Sequence, residues 1–376
     1  MSKFDYIRPL HDEEVQPTLQ EMKDHPMVKA MLHFSFPDKS PEEIFGILNS
    51  CNSIFDFQSK VIYNTVHEVL SRTSEAFIQE GFEKLEPNTP YLFISNHRDI
   101  ILDTSILNVA LYEHNLIMTA SAIGDNLVQK TFLMALAKLN RSFLIQRGQT
   151  PREMLLSSKL VSEFIQDAIA NRNRSIWIAQ REGRTKNGDD KTQQGVLKML
   201  GLASDEEHLM DYFKKLKVVP VAISYEYDPT DILKMPELIA KHYDQEYKKT
   251  SNEDFNSILK GAVGQKKRIQ ISVAGVLDAE LDDIKNSGES ANKQYQMLGD
   301  LIDEKIYQHY KLWPTNYMAY DLLHGTNTFE AFYNDKEKRQ FDRRIERRVE
   351  KDNEVALHNF LLMYANPVVN KLKLDE

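Results

Sequence analysis

The sequence predicts an α/β protein with a mixed central sheet flanked by helices, and with helical extensions at its N- and C-terminal ends. Between residues 81 and 284, short apolar runs alternate with helical patterns, which is typical of a layered α/β fold. Residues 1–80 and 285–376 instead carry apolar residues at helical spacing. We therefore expect a helical N-terminal region, an α/β domain and a helical C-terminal region.

The apolar runs give the positions of the strands. Six segments have the composition of strands: Tyr91–Ser95, Leu116–Ala120, Ser142–Gln146, Ser175–Gln180, Val218–Ser224 and Arg268–Val276. Between them, helices are expected near residues 100–112, 127–139, 151–171 and 192–214. The runs at 176–179 and 218–223 are continuously apolar, so both faces of the sheet should be covered. Pro220 interrupts the second of these runs, which indicates an edge strand or a bulge.

In the N-terminal region, one helix start is well defined. Ser40 is expected to cap a helix that Pro41 opens, with Glu43 completing a capping box. Apolar residues then recur at helical spacing towards Gly81. We therefore expect this stretch to be helical up to the α/β domain.

Composition limits the class of protein. A chain of 376 residues with 41% hydrophobic and 27% charged residues can bury a sizeable core. Its formal net charge of −9 argues against a dedicated nucleic-acid binder. The single cysteine, Cys51, excludes an intramolecular disulfide and a zinc site built from several cysteines, and it fits a reducing compartment. No apolar run suits a secretory signal or a membrane-spanning helix.

Several common catalytic motifs are also missing from the sequence. It contains no phosphate-binding loop, dinucleotide fingerprint, serine-hydrolase elbow or zinc-peptidase motif. We therefore expect neither a bound cofactor nor a metal ion.

The most informative segment surrounds His97. The strand Tyr91–Ser95 runs directly into the polar stretch Asn96–Asp99, and a helical pattern follows. Ligands bind beyond the carboxyl ends of strands in open α/β sheets, and the start of a helix favours anions. A His/Asp pair placed there can deprotonate a hydroxyl, with the carboxylate orienting the imidazole. His97 is the predicted base and Asp103 its expected partner, whereas Asp99 is also suited to cap the helix.

Two further strand ends carry basic residues. The strand at 142–146 ends at Arg147, and the strand at 175–180 enters a polar loop bounded by two glycines. An arginine at a strand exit can bind a phosphate through two parallel hydrogen bonds. The predicted substrate-binding residues are Arg147, Arg181, Glu182, Gly183, Arg184 and Lys186. The alternative is that they are surface residues of a turn and of a charged loop.

Two other segments each allow two interpretations. The apolar segment Leu127–Leu139 is either a buried core helix or a helix that touches a membrane surface. The charged run from Lys336 to Lys351 contains the pairs Arg343-Arg344 and Arg347-Arg348. It is either a solvated helix held by ion pairs four residues apart, or a basic face that contacts anionic lipid or a carrier protein.

Taken in order, the blocks around the strand ends resemble the glycerolphosphate and lysophosphatidate acyltransferase family. The blocks that carry the resemblance lie within residues 85–280, and they are Asn96-His97 with Asp103, Phe143–Arg147, Glu182-Gly183-Arg184 and Val219-Pro220-Val221. Two details depart from the pattern of that family. The spacing from His97 to Asp103 is one residue longer, and Arg184 stands one place early.

This resemblance implies a glycerolipid-type O-acyltransferase. It would move a fatty acyl group from acyl-CoA or acyl-carrier protein to a hydroxyl of a glycerol phosphate lipid precursor. The favoured acceptor is 1-acyl-glycerol-3-phosphate (lysophosphatidate), with glycerol 3-phosphate or a lyso-aminolipid as alternatives. His97 would be the general base, oriented by Asp103, while Arg147, Arg184 and Lys186 would hold the acceptor phosphate.

The resemblance also implies a cytoplasmic protein that is peripheral to the inner face of the membrane. Two other functions stay open on the sequence alone. One is a non-catalytic lipid or acyl-carrier binding protein on the same scaffold. The other is a thioesterase-like hydrolase that uses the same His/Asp pair on water.

Overall fold

A computed structural model describes residues 2–250 and 252–375, and it is built around a seven-stranded sheet. The strands are β1 Ser74–Glu80, β2 Leu92–Ser95, β3 Thr119–Gly124, β4 Ser142–Ile145, β5 Ser175–Ala179, β6 Val218–Tyr225 and β7 Lys267–Val273. Their order across the sheet is β1-β7-β6-β2-β5-β3-β4. The strands from β2 to β6 run parallel, β7 is antiparallel to β6, and β1 is parallel to β7. The predicted mixed sheet is confirmed.

Helices flank this sheet and extend the chain at both ends. They are α1 Asp12–Met22, α2 Pro26–Ser35, α3 Pro41–Asn49, α4 Ile54–Phe57, α5 Tyr63–Thr73, α6 Leu102–Glu113, α7 Thr131–Leu139, α8 Pro151–Arg172, α9 Gln194–Leu200, α10 Leu209–Lys215, α11 Asp231–His242, α12 Glu253–Val263, α13 Ala279–Asn286, α14 Ala291–His309, α15 Pro314–His324, α16 Asp335–Arg348 and α17 Glu354–Leu372. A π-helical turn joins α4 to α5. In the part of the chain that the structure describes, none of the helices is both long enough and apolar enough to cross a bilayer.

The N-terminal region agrees with the sequence prediction at its start and departs from it at its end. The Ser40 hydroxyl accepts a hydrogen bond from the Glu43 N–H, and the Glu43 carboxylate accepts one from the Ser40 N–H, so the capping box is confirmed. The expectation of helix up to residue 80 is wrong, because Ser74–Glu80 forms β1 at the edge of the sheet. Its apolar run of three residues is too short to distinguish a strand from a helix by periodicity.

Two details of the α/β region also differ from expectation. The single helix expected over 192–214 is broken into α9 and α10 at Gly201, where a Cβ would overlap the Tyr295 hydroxyl. Pro220 does not mark a sheet edge, because β6 lies between β2 and β7. The ladder with β7 begins only at Val221, so the missing N–H of Pro220 falls just outside it.

Helix α7 is packed rather than free, which supports the core interpretation of Leu127–Leu139. Leu133 and Met134 pack on the core beside the sheet, whereas Leu136 and Leu139 join the core of the N-terminal helices. The division into residues 1–80, 81–284 and 285–376 stays a prediction, although β1 places residues 74–80 within the sheet.

Strand β2 positions the candidate site. Its alternate residues point to opposite faces, with Leu92 and Ile94 in one apolar core and Phe93 in the other. All three are fully buried, and burying each such side chain stabilises the fold by roughly 2 kcal/mol. The strand is therefore held from both faces, which confirms that the sheet is covered on both sides. Its carboxyl end fixes where the next residues, Asn96 and His97, emerge.

Candidate active site

The chain leaves the sheet through Asn96. Its side-chain amide donates to the Ile223 carbonyl at 2.9 Å, and its Oδ1 accepts the Ile223 N–H at 2.8 Å. This reciprocal pair extends the contact between β2 and β6 by one residue, using a side chain in place of the backbone. His97 follows immediately and lines a large cavity at the carboxyl edge of the sheet.

The imidazole of His97 is held from two sides. Its Nδ1 lies 2.8 Å from Oδ2 of Asp103, and its ring contacts the edge of Trp177 with centroids 5.3 Å apart. The side chain is 12% exposed, so it reaches the cavity while remaining mostly enclosed. Because Nδ1 is engaged with a carboxylate, Nε2 is the ring nitrogen left to accept a proton.

Asp103, in the first turn of α6, is buried and surrounded by donors. Its Oδ2 accepts the backbone N–H groups of Arg98 at 2.6 Å and Asp99 at 3.0 Å, and its Oδ1 accepts the Tyr225 hydroxyl at 2.8 Å. Backbone amides can only donate, so the Asp103 oxygen is an acceptor and His97 Nδ1 is its donor. Tyr225 was not selected from the sequence, since its only signal there is its place beside a buried strand.

Asp99, the other candidate carboxylate, makes different contacts. Its Oδ1 accepts the N–H groups of Ile101 at 3.1 Å and Leu102 at 2.9 Å, so it caps the start of α6. Its Oδ2 is buried against Gly261 of α12, with no hydrogen-bond partner among the described residues. Burial and the neighbouring charge of Asp103 raise the pKa of Asp99. Of these two carboxylates, Asp103 is the one hydrogen-bonded to His97.

The cavity beside His97 has a volume of about 1010 Å³ and two kinds of lining. All six predicted substrate-binding residues lie in its wall: Arg147, Arg181, Glu182, Gly183, Arg184 and Lys186. Apolar side chains from the sheet, from the turn after β3 and from α8 and α9 also line it: Ile123, Leu127, Ile145, Met154, Val161, Ile178, Val196 and Met199. The cavity therefore suits an amphiphile with an anionic group and an aliphatic chain.

Two of the basic residues in the cavity are already paired with carboxylates. Arg147 pairs with Glu182 at 2.5 Å, and the Glu182 side chain is mostly exposed. Lys186 forms an ion pair with Glu237 of α11. Burial, and after it the charge of Arg184, lowers the pKa of the Lys186 ammonium to about 7.

The other two predicted basic residues, Arg181 and Arg184, have no carboxylate partner among the described residues. Arg184 makes a single long contact, 3.4 Å, to the Thr230 hydroxyl. Arg181 has a buried Nε without a hydrogen-bond partner within residues 2–250 and 252–375. Neither guanidinium is paired with a carboxylate among those residues, so both can form bidentate hydrogen bonds with a phosphate.

The loop over residues 181–193 is docked in place rather than free. The Thr185 N–H donates to the His97 carbonyl at 2.8 Å, which ties the loop to the catalytic candidate. Gly188 has a φ of +80°, and a Cβ there would overlap the Met363 carbonyl oxygen in α17. Glycine is therefore required at this point by both conformation and packing.

Behind the cavity lies a buried ion-pair cluster, defined by Arg98–Asp190, Lys234–Asp228 and Arg344–Asp231. Arg98 follows His97 in the chain but binds Asp190 at 2.5 Å, away from the cavity. The Tyr364 hydroxyl of α17 lies between two of the pairs, 2.9 Å from Asp231 and 3.1 Å from the Asp228 N–H. Sequence reasoning missed this cluster, because Arg98, Asp190 and Arg344 are far apart in the chain and the residues at 228–234 form no known motif.

Part of the chain is similar to a known protein family. The acyltransferase family model matches residues 77–224, a segment that contains His97, Asp103 and the 181–193 loop. This segment is thus similar to the acyltransferase family, in agreement with the resemblance seen in its motifs. The family model leaves α11–α17 outside the match.

Solved structures include one that is similar over most of this chain. It is the crystal structure of the 1-acyl-sn-glycerophosphate (LPA) acyltransferase PlsC from Thermotoga maritima, which is 9% identical. The similarity covers 79% of this chain and 94% of that chain, with a TM-score of 0.39. The search of curated proteins gives no match to this chain.

Proposed function

We propose that this protein is a glycerolipid O-acyltransferase that acylates a hydroxyl of a glycerol phosphate lipid precursor. The acyl donor is a thioester of CoA or of acyl-carrier protein. The observation that carries the proposal is the His97–Asp103 pair in the wall of a cavity with both basic and apolar linings. The match to the acyltransferase family model supports the class of reaction.

In the proposed reaction, His97 acts as a general base. The acceptor hydroxyl gives its proton to Nε2 of His97 while its oxygen attacks the thioester carbonyl carbon. Asp103 stabilises the imidazolium that forms. As the tetrahedral intermediate collapses, the C–S bond breaks and the imidazolium returns the proton to the leaving thiolate. No covalent enzyme intermediate is required, and general base catalysis of this kind contributes about 10²–10⁴ in rate.

The lining of the cavity favours 1-acyl-glycerol-3-phosphate as the acceptor. Its phosphate matches Arg181 and Arg184, which are not paired with carboxylates, and its acyl chain matches the apolar wall. Glycerol 3-phosphate would use only the basic part, and a lyso-aminolipid that lacks a phosphate would leave these cations unmatched. We therefore rank lysophosphatidate first and keep the other two as alternatives.

Because such substrates carry fatty acyl chains, we propose that the protein works at a membrane surface, on the cytoplasmic side. Met154, Leu155 and Leu156 at the start of α8 are 56%, 58% and 63% exposed. Met154 also lines the cavity. An exposed apolar segment beside the cavity suits contact with the lipid from which a substrate enters.

The test is a product assay with purified protein and radiolabelled palmitoyl-CoA or palmitoyl-acyl-carrier protein. Lysophosphatidate, glycerol 3-phosphate and a lyso-ornithine lipid are offered separately, and products are separated by thin-layer chromatography. Wild type is compared with His97→Ala and with His33→Ala, a matched change of an exposed histidine in α2. We expect a new lipid from wild type and His33→Ala, and its loss in His97→Ala.

The same assay separates the competing functions. Release of fatty acid without any acylated acceptor would indicate the thioesterase-like hydrolase. Binding of the lipids without turnover of either donor would indicate a non-catalytic binding protein. A new lipid formed equally well by His97→Ala would contradict the assigned base while leaving the acyltransferase reaction intact.

A further inference from the structure

A second pocket, of about 340 Å³, lies at the same edge of the sheet as the His97 cavity. Tyr227 follows the end of β6, Lys267 begins β7, and Glu75 lies at the start of β1. Since β7 is antiparallel to β6, and β1 is parallel to β7, the starts of β1 and β7 lie at the carboxyl edge of β6. The volume falls in the range of small-molecule sites.

Helix α16 provides the basic wall of this pocket. Arg343, Arg344, Arg347 and Arg348 are spaced three and four residues apart, so they share one face of the helix. Asp231 accounts for two of them, since it binds Arg344 at 2.6 Å and Arg348 at 3.1 Å. Arg344 also stacks over the Tyr227 ring at 4.2 Å. These contacts hold the helix face against the end of β6.

The other two arginines, Arg343 and Arg347, are not held by Asp231. Arg343 and Arg347 are exposed and form no ion pair among the described residues. Lys267 is paired with Glu226 at 2.7 Å, and Glu75 is the carboxylate in the wall of the pocket. The pocket therefore keeps an excess of positive charge that its own carboxylates do not balance.

Helix α11 contacts the arginines of the second pocket at one end and the His97 cavity further along. Asp231, which pairs with Arg344 and Arg348, is the first residue of α11. Six residues later, Glu237 pairs with Lys186 in the cavity, and this separation corresponds to about 9 Å along a helix. An anion drawn to the arginines of α16 would thus bind close to the cavity without entering it.

We propose that the second pocket binds a phosphate ester that carries about two negative charges. Arg343 and Arg347 supply the unpaired guanidinium groups, and Lys267 borders the site. This site is separate from the basic residues of the cavity, and α16 lies outside the segment that matches the acyltransferase family model. Two sources offer the required chemistry: the nucleotide end of a CoA thioester and the headgroup of an anionic phospholipid.

The test uses the full chain with three probes. Inorganic diphosphate and CoA are titrated by calorimetry, and vesicles of phosphatidylcholine with or without phosphatidic acid are tested by sedimentation. All proteins carry Arg181→Gln and Arg184→Gln, which weaken anion binding in the cavity. The site variant adds Arg343→Gln and Arg347→Gln. Its matched control adds Lys338→Gln and Arg339→Gln, an equal charge change on α16 outside the pocket.

We expect the site variant to bind at least one probe about tenfold more weakly, because two charge-assisted hydrogen-bonding groups are lost. Its control should bind that probe as the parent does. A loss confined to CoA and diphosphate would identify the nucleotide end as the ligand, and a loss confined to phosphatidic acid vesicles would identify the headgroup. The proposal is overturned if no probe distinguishes the site variant from its control.

Discussion

His97 and Arg98 are neighbours in the chain, yet they serve two polar regions with opposite character. His97 faces the cavity, where Arg181 and Arg184 have no carboxylate partner among the described residues. Arg98 faces the buried ion-pair cluster, where Asp190 binds it at 2.5 Å. Both regions are rich in charge, but only the cavity has cations left for a ligand.

The difference has a physical cause. A charge removed from water costs several kcal/mol unless it is paired, so the ions of the buried cluster must balance each other. Helices α16 and α17 complete that balance through Arg344 and Tyr364. The cluster therefore fixes the position of the C-terminal helices. The half-exposed cations of the cavity, by contrast, are free to bind a ligand. Four predictions test this contrast.

The first compares the two carboxylates near His97. Asp103→Asn should lower kcat by about 10²–10⁴, because it removes the charge that orients and stabilises the imidazolium. Asp99→Asn, the same change at the cap of α6, should cost far less, since Asp99 does not contact His97. Steady-state kinetics of acyl transfer measure both. Equal losses in the two variants would contradict the assignment of Asp103 as the partner of His97.

The second tests the buried ion-pair cluster. Lys234 is 1% exposed and bonded to Asp228, so Lys234→Met should leave a buried carboxylate unpaired. We expect a loss of about 3–5 kcal/mol in the free energy of unfolding, measured by urea denaturation. The double variant Lys234→Met with Asp228→Asn should recover part of this loss. A single variant as stable as wild type would show that the pair is not a structural element.

The third concerns Asp303 of α14, whose Oδ1 accepts the Thr192 N–H at 2.8 Å and so anchors the end of the 181–193 loop. Burial raises the pKa of Asp303 to about 7, above the value of about 4 in an unfolded chain. The folded protein thus holds this proton more tightly, and stability should fall as pH rises from about 4 to 7.

Asp303→Asn keeps the acceptor oxygen and removes the titration. The variant should be more stable than wild type at pH 8, by on the order of 2 kcal/mol, and about equal to it at pH 4. Urea midpoints across this pH range provide the measurement. A stability difference that does not change with pH would argue against a raised pKa at Asp303.

The fourth returns to the cavity. Arg184 is half-buried and makes one long contact to Thr230, so Arg184→Gln should change the free energy of unfolding by less than about 0.5 kcal/mol. It should raise the KM for a phosphate-bearing acceptor by about tenfold. Kinetics with lysophosphatidate and a matched acceptor lacking phosphate would measure the effect. A similar KM change for both acceptors would contradict a role in phosphate binding.

Much of the candidate site was predictable, because it is built from residues that follow strands recognisable in the sequence. The apolar strand before Asn96 and the helical pattern after Asp99 placed His97 at the carboxyl end of a strand. This is where ligands bind in open α/β sheets. The basic residues after β4 and β5 follow the same rule, since parallel strands end at one edge. Apolar runs likewise predicted the fold class and the strands β2–β7, although β3 lies at Thr119–Gly124 rather than at Leu116–Ala120.

The sequence alone thus predicts the class of fold, the edge of the sheet where the candidate site lies, and polar residues that line its cavity. Tertiary structure decided that Asp103 rather than Asp99 contacts His97, and that Tyr225 joins them. It also paired Arg98 with Asp190 and brought α16 to the start of β7. Strand and helix periodicity is a property of neighbouring residues. The His97–Asp103 contact depends instead on how the loop between them folds, and the contacts of Tyr225, Asp190 and α16 join residues far apart in the chain, which only the packed structure brings together.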